Sequence, residues 1–241
     1  MYQFSDHASF TKDDKIYVVG GYSADYTAQD TMFVIDAVAS TSTTWSITEA
    51  GKLGTARGDI HAAISTDQTR AFVSGGFTHA DNFCAPFAST EQYNFDTDTW
   101  TSLPDLRNAR GEVVLVELDN HLYAMGGERQ IDGVCEPGVK DGTDPGELTV
   151  GTDEVEALEN GGSDWKIVSG FPNHKFRFAA VGYEDLGQVY AFGGQVAYAN
   201  DCDCFRTTDE VARWGEVGDS AASLSKTLSV MALGVAGWLF M

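Results

Sequence analysis

The chain is predicted to be all-β, about four copies of one antiparallel four-stranded unit. A double glycine closes an apolar strand four times, at Gly20 and Gly21, Gly75 and Gly76, Gly126 and Gly127, and Gly193 and Gly194. The second glycines are 55, 51 and 67 residues apart, a period of roughly 50 residues. With 26 Gly, 5 Pro and 43% hydrophobic residues in 241, the composition suits many short strands and tight turns around a substantial core.

Strands are lettered A to D within a unit. Strand B is the segment ending in the glycine pair: Lys15 to Gly21, Arg70 to Gly76, His121 to Gly127 and Gln188 to Gly194. Strand A precedes it across a short polar turn, such as Lys12 to Asp14, as a hairpin requires. In the second to fourth units strand A opens at an arginine, within Ala56 to Ile64, Ala109 to Leu118 and Phe176 to Tyr183. After the glycines come a loop, strand C, and a strand D that begins at tryptophan. The second unit is the clearest, with Tyr93 seven residues before Trp100; Trp45 and Trp165 take the same role in the first and third. Glycine lets the backbone turn sharply and approach a neighbour, and large aromatic side chains fill the space between adjacent units.

These glycine pairs with their Tyr and Trp partners resemble the kelch-repeat family, over roughly residues 4 to 215. The resemblance implies a β-propeller with blades at about 4–49, 50–104, 105–170 and 171–215, its four-stranded sheets arranged radially about an axis. It also implies a protein-binding scaffold in most members and an enzyme in some, and fold alone does not choose between them. The oxidase branch with this fold binds copper through tyrosine and histidine, and no matching set is found here.

The fourth unit departs from the pattern. Strand C is expected from Thr208, but Gly218 stands seven residues after Val211 and Trp214 comes too early to serve as the strand D tryptophan. Only Met1, Tyr2 and Gln3 precede the first strand A, too few to supply a strand. Propellers of this family usually have six or seven blades, so the chain reads as an open, C-terminal portion of a longer one; a short or four-bladed protein is the alternative. An open edge invites self-association.

Cys84, Cys135 and Cys202 each lie eight residues after the second glycine of their unit, with Cys204 two further on. All four fall in B-to-C loops, which are neighbours on one propeller face, so disulfides between blades and an oxidising compartment are expected. The third such loop is the longest and carries Asp132, Glu136, Asp141 and Asp144, making it the first place to seek ligand contacts. From Leu228 to Met241 only Ser229 is polar; a polar stretch through Lys226 and the small cluster Gly218, Asp219, Ser220 precede it. Small residues, spacer and apolar tail are the parts of a lipid-anchor signal, with lipid attachment at one of those three; a spanning tail is the alternative. Residues 216–227 are read as a linker.

With 36 acidic and 15 basic side chains the formal charge is −21, which repels phosphate backbones and excludes nucleic acid as a partner. No phosphate loop, nucleophile elbow or H-E-x-x-H motif is present. His7 and His61, near Asp6, Asp59 and Glu112 at the starts of strands A, are weak metal candidates at one mouth of the channel. Arg57-Gly58-Asp59 spells an adhesive tripeptide, but the repeat already accounts for its arginine and glycine. The expectation is a non-catalytic, cofactor-free propeller, secreted or on the cell surface, that binds a protein or glycan through the face of its B-to-C loops. An enzyme acting on a sugar at the channel mouth and an intracellular scaffold are the alternatives.

Overall fold

The computed structural model describes residues 4–39, 44–78, 85–131, 149–199, 201–202 and 204–215. The fold is all-β, with one 3-10 turn at Glu184–Leu186. The first sheet runs β1 (Ala8–Lys12), β2 (Lys15–Val19), β3 (Met32–Asp36), β4 (Ser46–Glu49), and the second β5 (Ala62–Ile64), β6 (Arg70–Ser74), β7 (Thr90–Asn94), β8 (Thr99–Leu103). The third has β9 (Val114–Leu118) and β10 (His121–Met125). A hairpin of β11 (Glu128–Gln130) and β12 (Thr149–Gly151) follows, and then β13 (Val155–Glu159) and β14 (Lys166–Ile167) return to the sheet. The fourth is β15 (Ala179–Tyr183) and β16 (Gln188–Phe192), then a hairpin of β17 (Gln195–Ala199) and β18 (Cys204–Thr207), then β19 (Val211–Trp214). Each sheet is antiparallel in the order A, B, C, D, except that the fourth ends at strand C among the described residues. That strand starts at Val211, not Thr208, because Cys204–Thr207 is used by the hairpin.

The A strands β1, β5, β9 and β15 pack on one another in sequence, which makes them the inner strands. The core therefore lies between blades. Phe10, Tyr17 and Val19 of the first meet Tyr93 and Trp100 of the second; Leu115 and Trp165 of the third meet Phe72 of the second; Val116 and Met125 meet Phe178 and Val189 of the fourth. Tyr93 and Trp100 thus fill the gap between blades, as the repeat predicts.

The strand D tryptophans share one further contact. The Trp100 indole donates to the carbonyl of Gly51 at 3.1 Å and that of Trp165 to Pro104 at 2.8 Å, in each case just beyond strand D of the preceding blade. Trp45 breaks the expectation. It is 62% exposed, because it lies just before strand D, and Ile47, paired with Ile35, holds the position that Trp100 holds opposite Tyr93. Trp214 also corrects the reading, since it sits at the register of Tyr93. Ala71 pairs with Tyr93 and Val189 with Trp214, and from strand C its indole reaches the Ser169 carbonyl at 2.9 Å.

The arginine that opens the pattern is a structural part. Arg57 is fully buried and donates to the carbonyls of Gly75 and Ser89 and to Glu91 at 2.9 Å; Arg110 donates to Gly126, Glu154 and Glu156 in the same way. Buried, Arg57 cannot present the adhesive tripeptide. In the fourth blade the equivalent residue is Lys175 and not Arg177: Gly21, Gly76 and Gly127 donate their amides to the carbonyls of Arg57, Arg110 and Lys175 in turn. In the first blade the pair is replaced by Phe4 and Phe33, with ring centroids 5.2 Å apart. An apolar pair in place of a buried ion pair is an exchange that interiors tolerate.

The glycine pairs all have positive φ. At Gly75 a Cβ would lie 2.0 Å from the Arg110 carbonyl oxygen, so the next blade can approach only a bare backbone.

Candidate functional site

Strands A begin and strands B end on the same side of the propeller, so the starts of the A strands and the B-to-C loops share one face. At the inner rim of that face four equivalent residues, Asp6, Asp59, Glu112 and Arg177, all have φ between 50 and 54°. Repetition in four blades shows that the fold imposes this left-handed turn. Aspartate adopts it readily; glutamate and arginine do so less easily. Amides link the rim from blade to blade, Asp59 donating to the Asp6 carbonyl and Glu112 to that of Asp59, both at 2.9 Å.

These residues line a cavity of about 340 Å³ together with His7 and His61. The Arg177 Nε donates to Glu112 at 2.6 Å, and His61 Nε2 lies 3.7 Å from the same carboxylate. The hydroxyl of buried Tyr22 donates to Asp59 at 2.8 Å. Burial first, and then the neighbouring Glu112, raise Asp59 well above the usual carboxylate range. Burial pushes Glu112 up as well, but His61 and Arg177 outweigh it and hold Glu112 below that range. Two adjacent carboxyls are thereby driven apart, one towards the protonated donor and one towards the ionised acceptor.

The sequence places Asp6, His7, Asp59, His61 and Glu112 at one mouth, and the structure brings them together there. His7 and His61 are not equivalent; His7 matches Ile60, since Asp6 matches Asp59. Among the described residues no group of three His, Cys, Asp or Glu side chains is arranged to hold a metal ion. Arg177 and Tyr22 were not legible as site residues. Arg177 follows Lys175 by two positions and is easily mistaken for the repeat arginine.

Outside the rim, the hairpin stem β11–β12 lies beside β17, as neighbouring B-to-C loops should. The stem borders a second cleft, of about 570 Å³, lined by Asn108, Arg129, Gln130, Asp153, Glu154 and His174. Asp132, Glu136, Asp141 and Asp144 lie outside the described residues, as do Cys84, Cys135, Gly218, Asp219, Ser220 and the segment 228–241. Cys202 and Cys204 form a disulfide with each other, at the tip of the β17–β18 hairpin and with Cα atoms 5.2 Å apart. That bond is local; the expected link between blades concerns Cys84 and Cys135, which lie outside the described residues. No helix among the described residues is long and apolar enough to cross a membrane.

Residues 61–107, which hold the second blade, match the family model described as the Kelch motif. The chain is 29% identical to Kelch-like protein 26 of Danio rerio over 121 residues, half of this chain and 19% of that protein. It superposes on the solved structure of YjhT with a TM-score of 0.67 at 16% identity, covering 90% of this chain and 62% of the other. The chain thus spans about a fifth of the curated relative and less than two thirds of the structure it matches. Glycine pairs, radial sheets and these likenesses agree: the chain carries a Kelch motif and has the fold of a kelch propeller.

Proposed function

We propose that this propeller is a non-catalytic binding module whose ligand, a protein or a glycan, docks on the face shared by the B-to-C loops and the channel rim. The observation that carries the reading is that both clefts described above, the rim cavity and the stem-bordered cleft, open on that face, with the exposed Arg129 beside one and Arg177 beside the other. Kelch domains generally bind proteins, and the buried guanidinium groups of the blades, Arg57 and Arg110, are consumed in holding the fold. We place the protein outside the cell or on its surface, with the tail 228–241 as its attachment to the membrane. The Cys202–Cys204 bond supports an oxidising compartment. The test is to display the full chain, labelled, on a glycan array and on cells with and without prior surface proteolysis. Binding is expected to one of the two, and Arg129→Glu should abolish it while Trp45→Ala leaves it intact. Binding unaffected by Arg129→Glu and by Arg177→Ala would overturn the choice of face.

A second reading is favoured by the divergent carboxyls Asp59 and Glu112. Such a pair suits proton transfer to and from a sugar held at the mouth. It predicts turnover of a reducing sugar, followed by NMR, that is lost in Asp59→Asn; the same variant would leave a simple binder's affinity within a few-fold.

A further inference from the structure

The clefts between the first and second blades and between the second and third share one register but are filled differently. Tyr17 and Phe72 are equivalent, each three residues before its glycine pair, and their partners on strand A are Phe10 and Ala63. On the facing blade Tyr93 corresponds to Leu158, since they pair with Ala71 and Leu122. Two residues further on, Phe95 corresponds to Asn160. Their amides donate to the carbonyls of Thr69 and Asn120, the residues just before strand B.

In the first cleft Phe10, Tyr17, Tyr93 and Phe95 form one aromatic cluster. The Phe95 ring centroid is 5.1 Å from that of Tyr93, 5.3 Å from Tyr17 and 6.0 Å from Phe10. In the second cleft only Phe72 keeps a ring, because alanine, leucine and asparagine hold the other three positions. The space is not recovered: a cavity of about 140 Å³ lies there, with Phe72, Leu103, Leu122 and Leu158 in its walls and Asn160 at its border. Interiors hold few voids larger than a water molecule. Cavities of about 150 Å³ with Leu and Phe walls stay dry and admit a benzene ring.

The cation beside the missing ring is kept. Lys12 lies 5.3 Å from the Phe95 centroid in the first cleft. In the second the Arg70 guanidinium lies 5.5 Å from the Phe72 centroid and donates to the Asn160 side-chain carbonyl at 2.6 Å; the Asn160 amide donates to Asn120 at 3.0 Å. Arg70 therefore borders the cavity as a partner for the face of an entering ring.

We propose that this cavity is a binding site for one aromatic ring, which takes the place that Phe95 fills one cleft earlier. The ring belongs to a small aromatic compound or to a phenylalanine side chain of a partner. Asn120 in the A-to-B turn and Gly161 and Gly162 in the C-to-D turn line the cavity, so it opens on the face opposite the B-to-C loops and is separate from the site proposed above.

Titrating the intact chain with toluene and, separately, with N-acetyl-phenylalanine amide tests this, read from leucine methyl NMR signals. Saturable shifts are expected at Leu103, Leu122 and Leu158 but not at Leu53, which packs in the filled first cleft, with a dissociation constant on the order of 1 mM or below. Tighter binding of the amide assigns the ring to a partner's side chain; equal or tighter binding of toluene assigns it to a free compound. Asn160→Phe should fill the cavity from within and weaken both probes by about 10-fold or more. No saturable shift with either probe, equal shifts at Leu53, or undiminished affinity in Asn160→Phe would each overturn the proposal. Should that variant fail to fold, the titration of the unaltered chain decides.

Discussion

The second and fourth blades solve the same problem with different parts. In the second, Arg57 sits at the base of strand A with five hydrogen bonds, to Thr55, Gly75, Ser89 and Glu91, and its charge is met by Glu91 at 2.9 Å. In the fourth, Lys175 is equally buried, but its Nζ has no hydrogen bond and its nearest carboxylate, Glu210, is 3.6 Å away. The position of Glu91 is taken by Ala212. A planar guanidinium reaches several carbonyls at once, and an ammonium on a flexible stem does not. The tryptophan shifts in the same comparison from strand D to strand C. Blade geometry is therefore fixed by the glycine pairs and the strand register, while the fastening is strong in the second blade, weak in the fourth and, with Phe4 and Phe33, apolar in the first.

The comparison breaks most visibly if the strong fastening is removed. Arg110→Ala would leave Glu156 buried without its cation and take a donor from the Gly126 and Glu154 carbonyls, of which the second still accepts from the Gly126 amide, a loss of about 3–5 kcal/mol in urea denaturation. Lys175→Ala removes a cation that makes no hydrogen bond, and should cost clearly less, about 1–2 kcal/mol. If the two losses are equal, the blades do not differ in fastening. The tryptophans give a second contrast of similar size. Trp165 is 1% exposed and Trp45 62%, so Trp165→Ala should cost about 3–5 kcal/mol and Trp45→Ala about 0.5 kcal/mol or less. Both would be read from thermal and urea melts of the same preparation.

These contrasts also mark what the sequence can and cannot carry. The glycine pairs were legible because only glycine tolerates their φ and the close approach of the next blade; any family sharing that geometry must show them. Strand A was placed correctly in all four units, but in the fourth the pattern points to Arg177 as the buried basic residue, since lysine there carries no arginine signature. The rim was legible as a gathering of Asp6, His7, Asp59, His61 and Glu112, because equivalent positions in a radial repeat converge on the axis. Its chemistry was not: the opposed shifts of Asp59 and Glu112 depend on the burial of Asp59 and on Arg177, which reaches Glu112 from the fourth blade. The β11–β12 and β17–β18 hairpins were hidden inside loops, where the strands of the first are three residues long and the second has a shifted register, so neither leaves a regular alternation to read.

A smaller effect sharpens the comparison by converting one blade into the other. Lys175→Arg combined with Ala212→Glu should restore the fastening of the second blade in the fourth. Each change alone is expected to be neutral or unfavourable, Ala212→Glu because it buries a carboxylate. The double variant should exceed the sum of the two by about 0.5–3 kcal/mol in a double-mutant cycle. Additivity would mean that the fourth blade has relaxed away from the geometry the pair needs.

The smallest expected effect concerns the rim, where the two carboxyls should oppose each other in pH dependence. Asp59 has a folded-state pKa raised above its unfolded value, so the folded state keeps a proton that the unfolded chain has lost. Stability from this group is complete below about pH 4, the ordinary aspartate value, and declines as pH rises into the neutral range. Glu112 is held low and acts in the opposite sense: its contribution is present above the ordinary glutamate value and is lost as pH falls through its folded value. Asp59→Asn keeps the left-handed backbone that asparagine tolerates and still accepts from Tyr22, but carries no titrating proton. The difference in stability between Asp59→Asn and the unaltered protein should therefore grow in favour of the variant from pH 4 to pH 8. Because Asp59 is only half-buried, screening limits the gain to on the order of 1 kcal/mol. Melting both proteins across that range measures it, and a difference that stays flat with pH would show that Asp59 is ionised in the fold and that the two carboxyls are not driven apart.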